Sequence, residues 1–217
     1  MTMPSRIHVS ALLLFASTVW GLTLMAGGIS LPTGAFGPFS IVVGTLVFAL
    51  SVFDLWLWRV PILQGWFVKR PALYGTWKVT FHSDWVDSAT QQRIAPKVGY
   101  MAVRQTYSSL SMRLMTEEST SSLVAEGVSL MPDGTFKVFA VYRNESRIAV
   151  RDRSPIHYGA FALDVQGTPV GRMEGAYWTD RNTRGDMVLS DRRTQMFDSY
   201  SDAEAAFNAK RRGGRKD

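Results

Sequence analysis

The densest group of side chains able to hold a ligand is Glu174-Gly175-Ala176-Tyr177-Trp178-Thr179-Asp180-Arg181-Asn182-Thr183-Arg184-Gly185, which packs together two aromatics, two arginines, three hydrogen-bonding side chains and two glycines. These are the groups that hold a nucleotide. An aromatic ring stacks on a base, an arginine fork takes phosphate through paired hydrogen bonds, and threonine or asparagine reads base edges. The same residues also suit a twisted hairpin with Tyr177 or Trp178 in a core and both arginines in water, and spacing alone leaves the two readings open. A second polar and aromatic group is Gln105-Thr106-Tyr107-Ser108, with Tyr142-Arg143-Asn144 and His157-Tyr158-Gly159 as candidate neighbours.

Little else in the chain suggests chemistry. There is no cysteine, which excludes disulfides, thiolate catalysis and cysteine-ligated zinc. The three histidines, His8, His82 and His157, are far apart and match no HExxH-like spacing, so neither a metal nor a cofactor is expected. GxSxG, Walker and GxGxxG motifs are absent, and no Ser-His-Asp triad can be argued from spacing. Glu117 and Glu118 resemble an acid–base pair only on paper, because adjacent strand residues point to opposite faces. A solvated strand end is the expected role, and the chain is not expected to be an enzyme.

Residues that hold a ligand must be positioned by a scaffold, and from Leu73 onward that scaffold reads as β-strands. Short alternating runs recur, broken by turn chemistry. Tyr74 to His82 is the cleanest, with Trp77, Val79 and Phe81 on one face and Thr76, Lys78, Thr80 and His82 on the other. Further strands are predicted at 98–107, 109–116, 122–131, 135–143, 157–165, 170–179 and 186–194, with hairpin turns at Pro132-Asp133-Gly134 and Gln166-Gly167-Thr168-Pro169. Eight strands in series without long helices between them predict an all-β soluble domain, an eight-stranded up-and-down antiparallel barrel. About eight strands leave room inside for one small ligand. If the strands close, inward-facing polar side chains then need a ligand or one another.

The first part of the chain is different. Between Arg6 and Asp54 only His8 can carry a charge. A membrane-crossing helix needs roughly 20 apolar residues, and this stretch is about twice that long. The break at Leu31-Pro32-Thr33-Gly34-Ala35-Phe36-Gly37-Pro38 predicts a two-helix transmembrane hairpin with spans near 9–31 and 37–58. Arg6 before the first span, and Arg59, Lys69 and Arg70 after the second, place both chain ends in the cytoplasm, with Trp56, Trp58 and Trp66 as an interfacial belt. A cleaved signal peptide ending near Ala26-Gly27-Gly28 is the rival reading, weakened by the second span and by an apolar run longer than about 15 residues. Gly21, Ala26, Gly27, Gly28, Gly37, Gly44 and Ala49 would permit close helix approach and self-association, though glycine is common in membrane helices regardless.

The expected organisation is therefore residues 1–69 as transmembrane hairpin and linker, 70–200 as the barrel, and 201–217 as a basic tail. That tail begins as a helix former around Ala203 to Phe207 and ends in Lys210-Arg211-Arg212-Gly213-Gly214-Arg215-Lys216. All of the net charge of +6 lies downstream of the apolar stretch. The basic cluster suits either anionic lipid headgroups or plain solvation.

In order along the chain, the two-span start, Tyr74-Gly75-Thr76-Trp77, Gln105-Thr106-Tyr107 with its serine-rich continuation, Tyr142-Arg143-Asn144, His157-Tyr158-Gly159 and Gly175 to Arg181 resemble the SMODS-associating, two-transmembrane, β-strand-rich effectors of bacterial CBASS antiphage defence. The resemblance spans nearly the whole chain. It implies a cytoplasmic minimal β-barrel that binds a cyclic dinucleotide from a partner cyclase, homo-oligomerises, and disrupts the inner membrane through a multi-pass N-terminal segment. Its partners would be the cyclic dinucleotide, membrane lipid and further copies of the chain, with no nucleic acid polymer. It implies no catalytic residue. The candidate ligand contacts are Thr106, Tyr107, Tyr142, Asn144, Tyr177, Thr179 and Arg181 within the matched motifs, and Arg184 just beyond the last of them. Two rival functions have structural signatures: a lipocalin-like carrier would have an apolar-lined barrel, and a membrane scaffold would have a barrel packed solid.

Overall fold

The computed structural model describes residues 6–27, 39–86 and 91–213 and divides into two compact units, Met1–Val60 and Pro61–Asp217. The first contains helix α1 (Arg6–Ala26, 21 residues) and helix α2 (Phe39–Leu55, 17 residues), which contact one another. The hydroxyls of Thr18, Thr23 and Ser51 donate to the carbonyls of Leu14, Val19 and Val47 four residues back, so these polar groups are satisfied within their own helices. Leu14, Leu22, Met25, Val47 and Phe48 are exposed.

The expected spans near 9–31 and 37–58 are thus corrected to shorter helices, and among the described residues no helix is long and apolar enough to cross a membrane. At 1.5 Å per residue, α2 rises only roughly 25 Å against a hydrocarbon thickness of about 30 Å. It stops early because the chain turns into two 3₁₀ segments, Leu57–Arg59 and Pro61–Leu63. Val60, before Pro61, is extended (ψ 127°), as the residue preceding proline prefers. Trp58, expected in an interfacial belt, is buried, whereas Trp56 and Trp66 are exposed. Gly21 and Gly44 have open space where a Cβ would stand, so they do not mediate close approach within this helix pair. The turn at 31–38 lies outside the described residues.

The second unit is a closed barrel of eight strands in sequence order: β1 (Gly75–Ser83), β2 (Lys97–Gln105), β3 (Leu110–Met115), β4 (Ser119–Leu130), β5 (Phe136–Ser146), β6 (His157–Gln166), β7 (Arg172–Thr179) and β8 (Arg184–Arg193). Every neighbouring pair is antiparallel, and β8 pairs with β1 to close the ring. Alternation decides which side chains enter. On β1, Trp77 and Val79 are fully buried, and Phe81 packs against the same core. On β5, Val138, Ala140, Tyr142, Asn144 and Ser146 point inward in succession, so this strand's inner face passes from apolar to polar along its length.

That gradient divides the interior. One end is solid, filled by Leu73, Trp77, Val138, Leu163, Met173 and Leu189. Residues before β1 stopper this end. Buried Gln105 donates from Nε2 to the Pro71 carbonyl (2.9 Å) and accepts from the Leu73 amide at Oε1 (2.7 Å). The Trp77 indole donates to the Leu73 carbonyl (2.9 Å), and Arg192 donates to that of Ala72 (2.7 Å) while lying over the Trp77 ring.

The predicted basic tail is part of this unit's packing. Helix α3 (Tyr200–Gly213) lies on the outside of the barrel, burying Ala203 and Phe207 against Tyr100, Ala102, Met115 and Phe197. Ser199 caps it, its hydroxyl accepting from the Asp202 amide and donating to the Asp202 carboxylate. Residues 214–217, the end of the expected basic cluster, lie outside the described residues.

Candidate ligand-binding cavity

The end of the barrel opposite the Gln105 stopper is open, with a cavity of about 490 Å³. This falls within the range of about 300–1,000 Å³ typical of small-molecule sites. Its floor is aromatic. Phe81 and Tyr177 meet edge to face with centroids 5.8 Å apart, and Tyr142 stacks on Phe161 at 6.1 Å. Beneath them only about 20 Å³ of enclosed space remains, room for little more than one water.

Gly159 makes the floor possible. It lies directly across the β5–β6 ladder from Tyr142, and a Cβ there would overlap the phenol. Burial, reinforced by Tyr177 and Asp180, pushes the Tyr142 hydroxyl up to about 12. Burial also raises that of Tyr177, against a hydrogen bond from Ser83 that acts the other way. Both phenols therefore stay neutral at physiological pH, giving a surface on which a base can stack without repelling an anion.

One wall carries a continuous polar chain. Ser121 Oγ donates to Asn144 Oδ1 (2.8 Å), Asn144 Nδ2 reaches Ser146 Oγ (3.4 Å), and Ser146 Oγ donates to Ser154 Oγ (3.0 Å). Arg181 Nη1 donates to Ser154 Oγ (2.9 Å) and lies 3.5 Å from His157 Nδ1. Strand register assembles the row, since Ser121, Asn144 and His157 are direct partners across β4, β5 and β6. Arg181 sits on the β7–β8 turn, which is held by a 2.7 Å contact between the Thr179 and Thr183 hydroxyls and by Asp180 accepting from the Tyr158 amide (3.0 Å). Asn182 takes the left-handed conformation that closes the turn (φ 59°), one asparagine tolerates well.

Of the eight sequence-predicted contacts, Tyr142, Asn144, Tyr177, Thr179 and Arg181 line this cavity. Three lie elsewhere. Arg184 begins β8 facing outward and pairs with Asp84 (Nε to Oδ2, 2.7 Å), holding that carboxyl below its ordinary range. Thr106 and Tyr107 are at the stoppered end, because β2 runs away from the cavity mouth. The Thr106 hydroxyl accepts from the Ser109 amide (3.1 Å), while Arg70 donates to the Tyr107 carbonyl. Sequence reasoning missed Ser119, Ser121, Ser146, Ser154 and Lys97 as lining residues. Parity could have found some of them, because an inward Asn144 forces Ser146 inward and pairs both with the serines of β4.

Residues 68–191, more than half of the chain's length, match the family model described as Cap15, cyclic dinucleotide receptor domain. The protein belongs to the Cap15 cyclic dinucleotide receptor domain family. The match begins at Val68 and ends at Asp191, covering nearly all of the barrel and the stopper segment from Val68 onward, and lies outside α1, α2 and α3. The Cap15 match agrees with the CBASS resemblance seen in the sequence and describes a receptor rather than a catalyst. No curated protein matches the chain.

Proposed function

We propose that the protein is a CBASS antiphage effector whose barrel cavity takes a cyclic dinucleotide made by a partner cyclase. The observation that carries this reading is the composition of the open end: a neutral aromatic floor, a hydroxyl and amide wall, and an arginine at the lip. A base stacks on Tyr142 or Tyr177, Asn144 and its serine neighbours read polar edges, and Arg181 with Thr179 takes a phosphate. A lipocalin-like carrier fits poorly because the cavity wall is polar, and a filled scaffold fits poorly because about 490 Å³ stands open.

Ligand shifts assembly only by its differential affinity for the separate and assembled states. Occupancy of the lip, where the β3–β4, β5–β6 and β7–β8 connections lie, favours a homo-oligomer. The N-terminal helices then act on the bacterial inner membrane, with the barrel in the cytoplasm, and their disruption of the bilayer ends the infection by killing the host cell. The apolar residues exposed on α1 and α2 support this role, since lipid is the solvent in which such surfaces are stable.

Calorimetric titration of the full-length protein in detergent with cyclic dinucleotides of purine, mixed and pyrimidine composition tests the reading. Binding of one member at about 1 μM or tighter, near −8 kcal/mol or better, is the expected result. Silence across the panel overturns it.

A further inference from the structure

A second group of cations at the mouth is paired with a carboxylate. Lys97, inward-facing at the start of β2, is 3.5 Å from one carboxylate oxygen of Glu118, and Arg153, on the β5–β6 connection, pairs with the other. The turn carrying Glu118 is itself fixed, because its carbonyl accepts from the Arg147 amide (2.8 Å). Lys97, Glu118 and Arg181 all line the cavity. Arg153 directly precedes Ser154, whose hydroxyl receives Arg181, so the two arginines meet at the β5–β6 connection and Glu118 joins Arg153 to Lys97.

We propose that Lys97 and Arg153 form a second phosphate seat, distinct from Arg181, and that Glu118 holds it as an intramolecular stand-in for phosphate until the ligand displaces it. This rests on the reading of the cavity as a cyclic dinucleotide site. Such a ligand has two phosphodiesters, each with one negative charge and two terminal oxygens, and the lip then supplies one cationic seat for each. A carboxylate and a phosphodiester present the same pair of anionic oxygens to a guanidinium or ammonium group, so the exchange is between like partners. Both cations are exposed at the rim, where the Glu118 carboxylate holds them together. Ligand affinity is lowered by the cost of breaking these contacts. Glu117 lines the same lip without being in the ion pair to Lys97 or Arg153, and serves as a control for simple loss of charge.

The test compares Glu118→Gln, Glu117→Gln and wild type, each in the wild-type and Lys97→Ala/Arg153→Ala backgrounds. The full-length protein is titrated with cyclic di-GMP, cyclic di-AMP, cyclic GMP–AMP, cyclic UMP–AMP and cyclic di-UMP. Glu118→Gln should bind the preferred ligand roughly three- to tenfold tighter, as expected for freeing rim cations, and raise the salt dependence of binding. Glu117→Gln should give a clearly smaller gain, and the Glu118→Gln gain should vanish once Lys97 and Arg153 are alanine. A Glu118→Gln affinity equal to or weaker than wild type overturns the proposal, as does an equal gain from Glu117→Gln or one that persists without the two cations. If wild type binds and Glu118→Gln adds nothing, only the second seat falls. If neither binds any member, the nucleotide reading falls and takes the seat with it.

Discussion

Tyr142 and Gly159 are direct partners across the β5–β6 ladder, and the phenol of Tyr142 fills the space that any side chain at position 159 would need. The glycine is required by a neighbour, since no left-handed backbone is recorded there. Gly159→Ala should therefore destabilise the barrel by about 1–3 kcal/mol through overpacking and tilt the cavity floor. A lowered melting temperature together with weakened ligand binding is expected; a variant as stable as wild type would show that the ring moves aside freely.

Asn144 joins Ser121 to Ser146 within the buried stretch of the wall chain. Removing its amide leaves Ser121 and Ser146, both buried, without this partner. Asn144→Ala should cost about 1–3 kcal/mol in denaturant stability and lower dinucleotide affinity at the same time. Arg181→Ala, on an exposed turn, should leave stability nearly unchanged while weakening binding, which separates the two roles by melting and titration.

The fold was largely legible because the barrel's inner face is written in alternation. Trp77, Val79 and Phe81 announced the inward side of β1, and Pro132-Asp133-Gly134 turns β4 into β5, with Gly134 in the left-handed region. The cavity lining was legible where a motif lay at the open end, as with Tyr177, Thr179 and Arg181. Thr106, Tyr107 and Arg184 lie away from the cavity because composition says which residues suit a ligand but not which end of a strand they occupy or which way they point. Gln105 shows the difference, since its polar side chain is spent on Pro71 and Leu73. At the N-terminus, apolar length alone did not reveal that the chain bends at Trp56 and ends α2 short.

The stoppered end offers a contrast with the cavity. Gln105→Leu removes a buried donor and acceptor that hold the Pro71 carbonyl and Leu73 amide, so a loss of about 2–3 kcal/mol in unfolding free energy is expected. Dinucleotide affinity should not change, nor should it in Thr106→Ala or Tyr107→Phe. A large loss of binding in either of the latter two variants would restore the Gln105-Thr106-Tyr107 motif to the site.

Tyr142 also makes a pH prediction. Its hydroxyl is raised from 10.0 to about 12 in the fold, chiefly by burial. The folded state thus holds the proton more tightly than the unfolded chain, and the associated stability is fully present below pH 10 and is lost as pH rises through about 12. Two units correspond to about 2–3 kcal/mol for a group this buried. Tyr142→Phe cannot ionise, so its stability relative to wild type should improve by about that amount between pH 9 and pH 12. Urea midpoints of the two proteins at several pH values read the difference directly, and parallel curves would mean that the phenol reaches solvent.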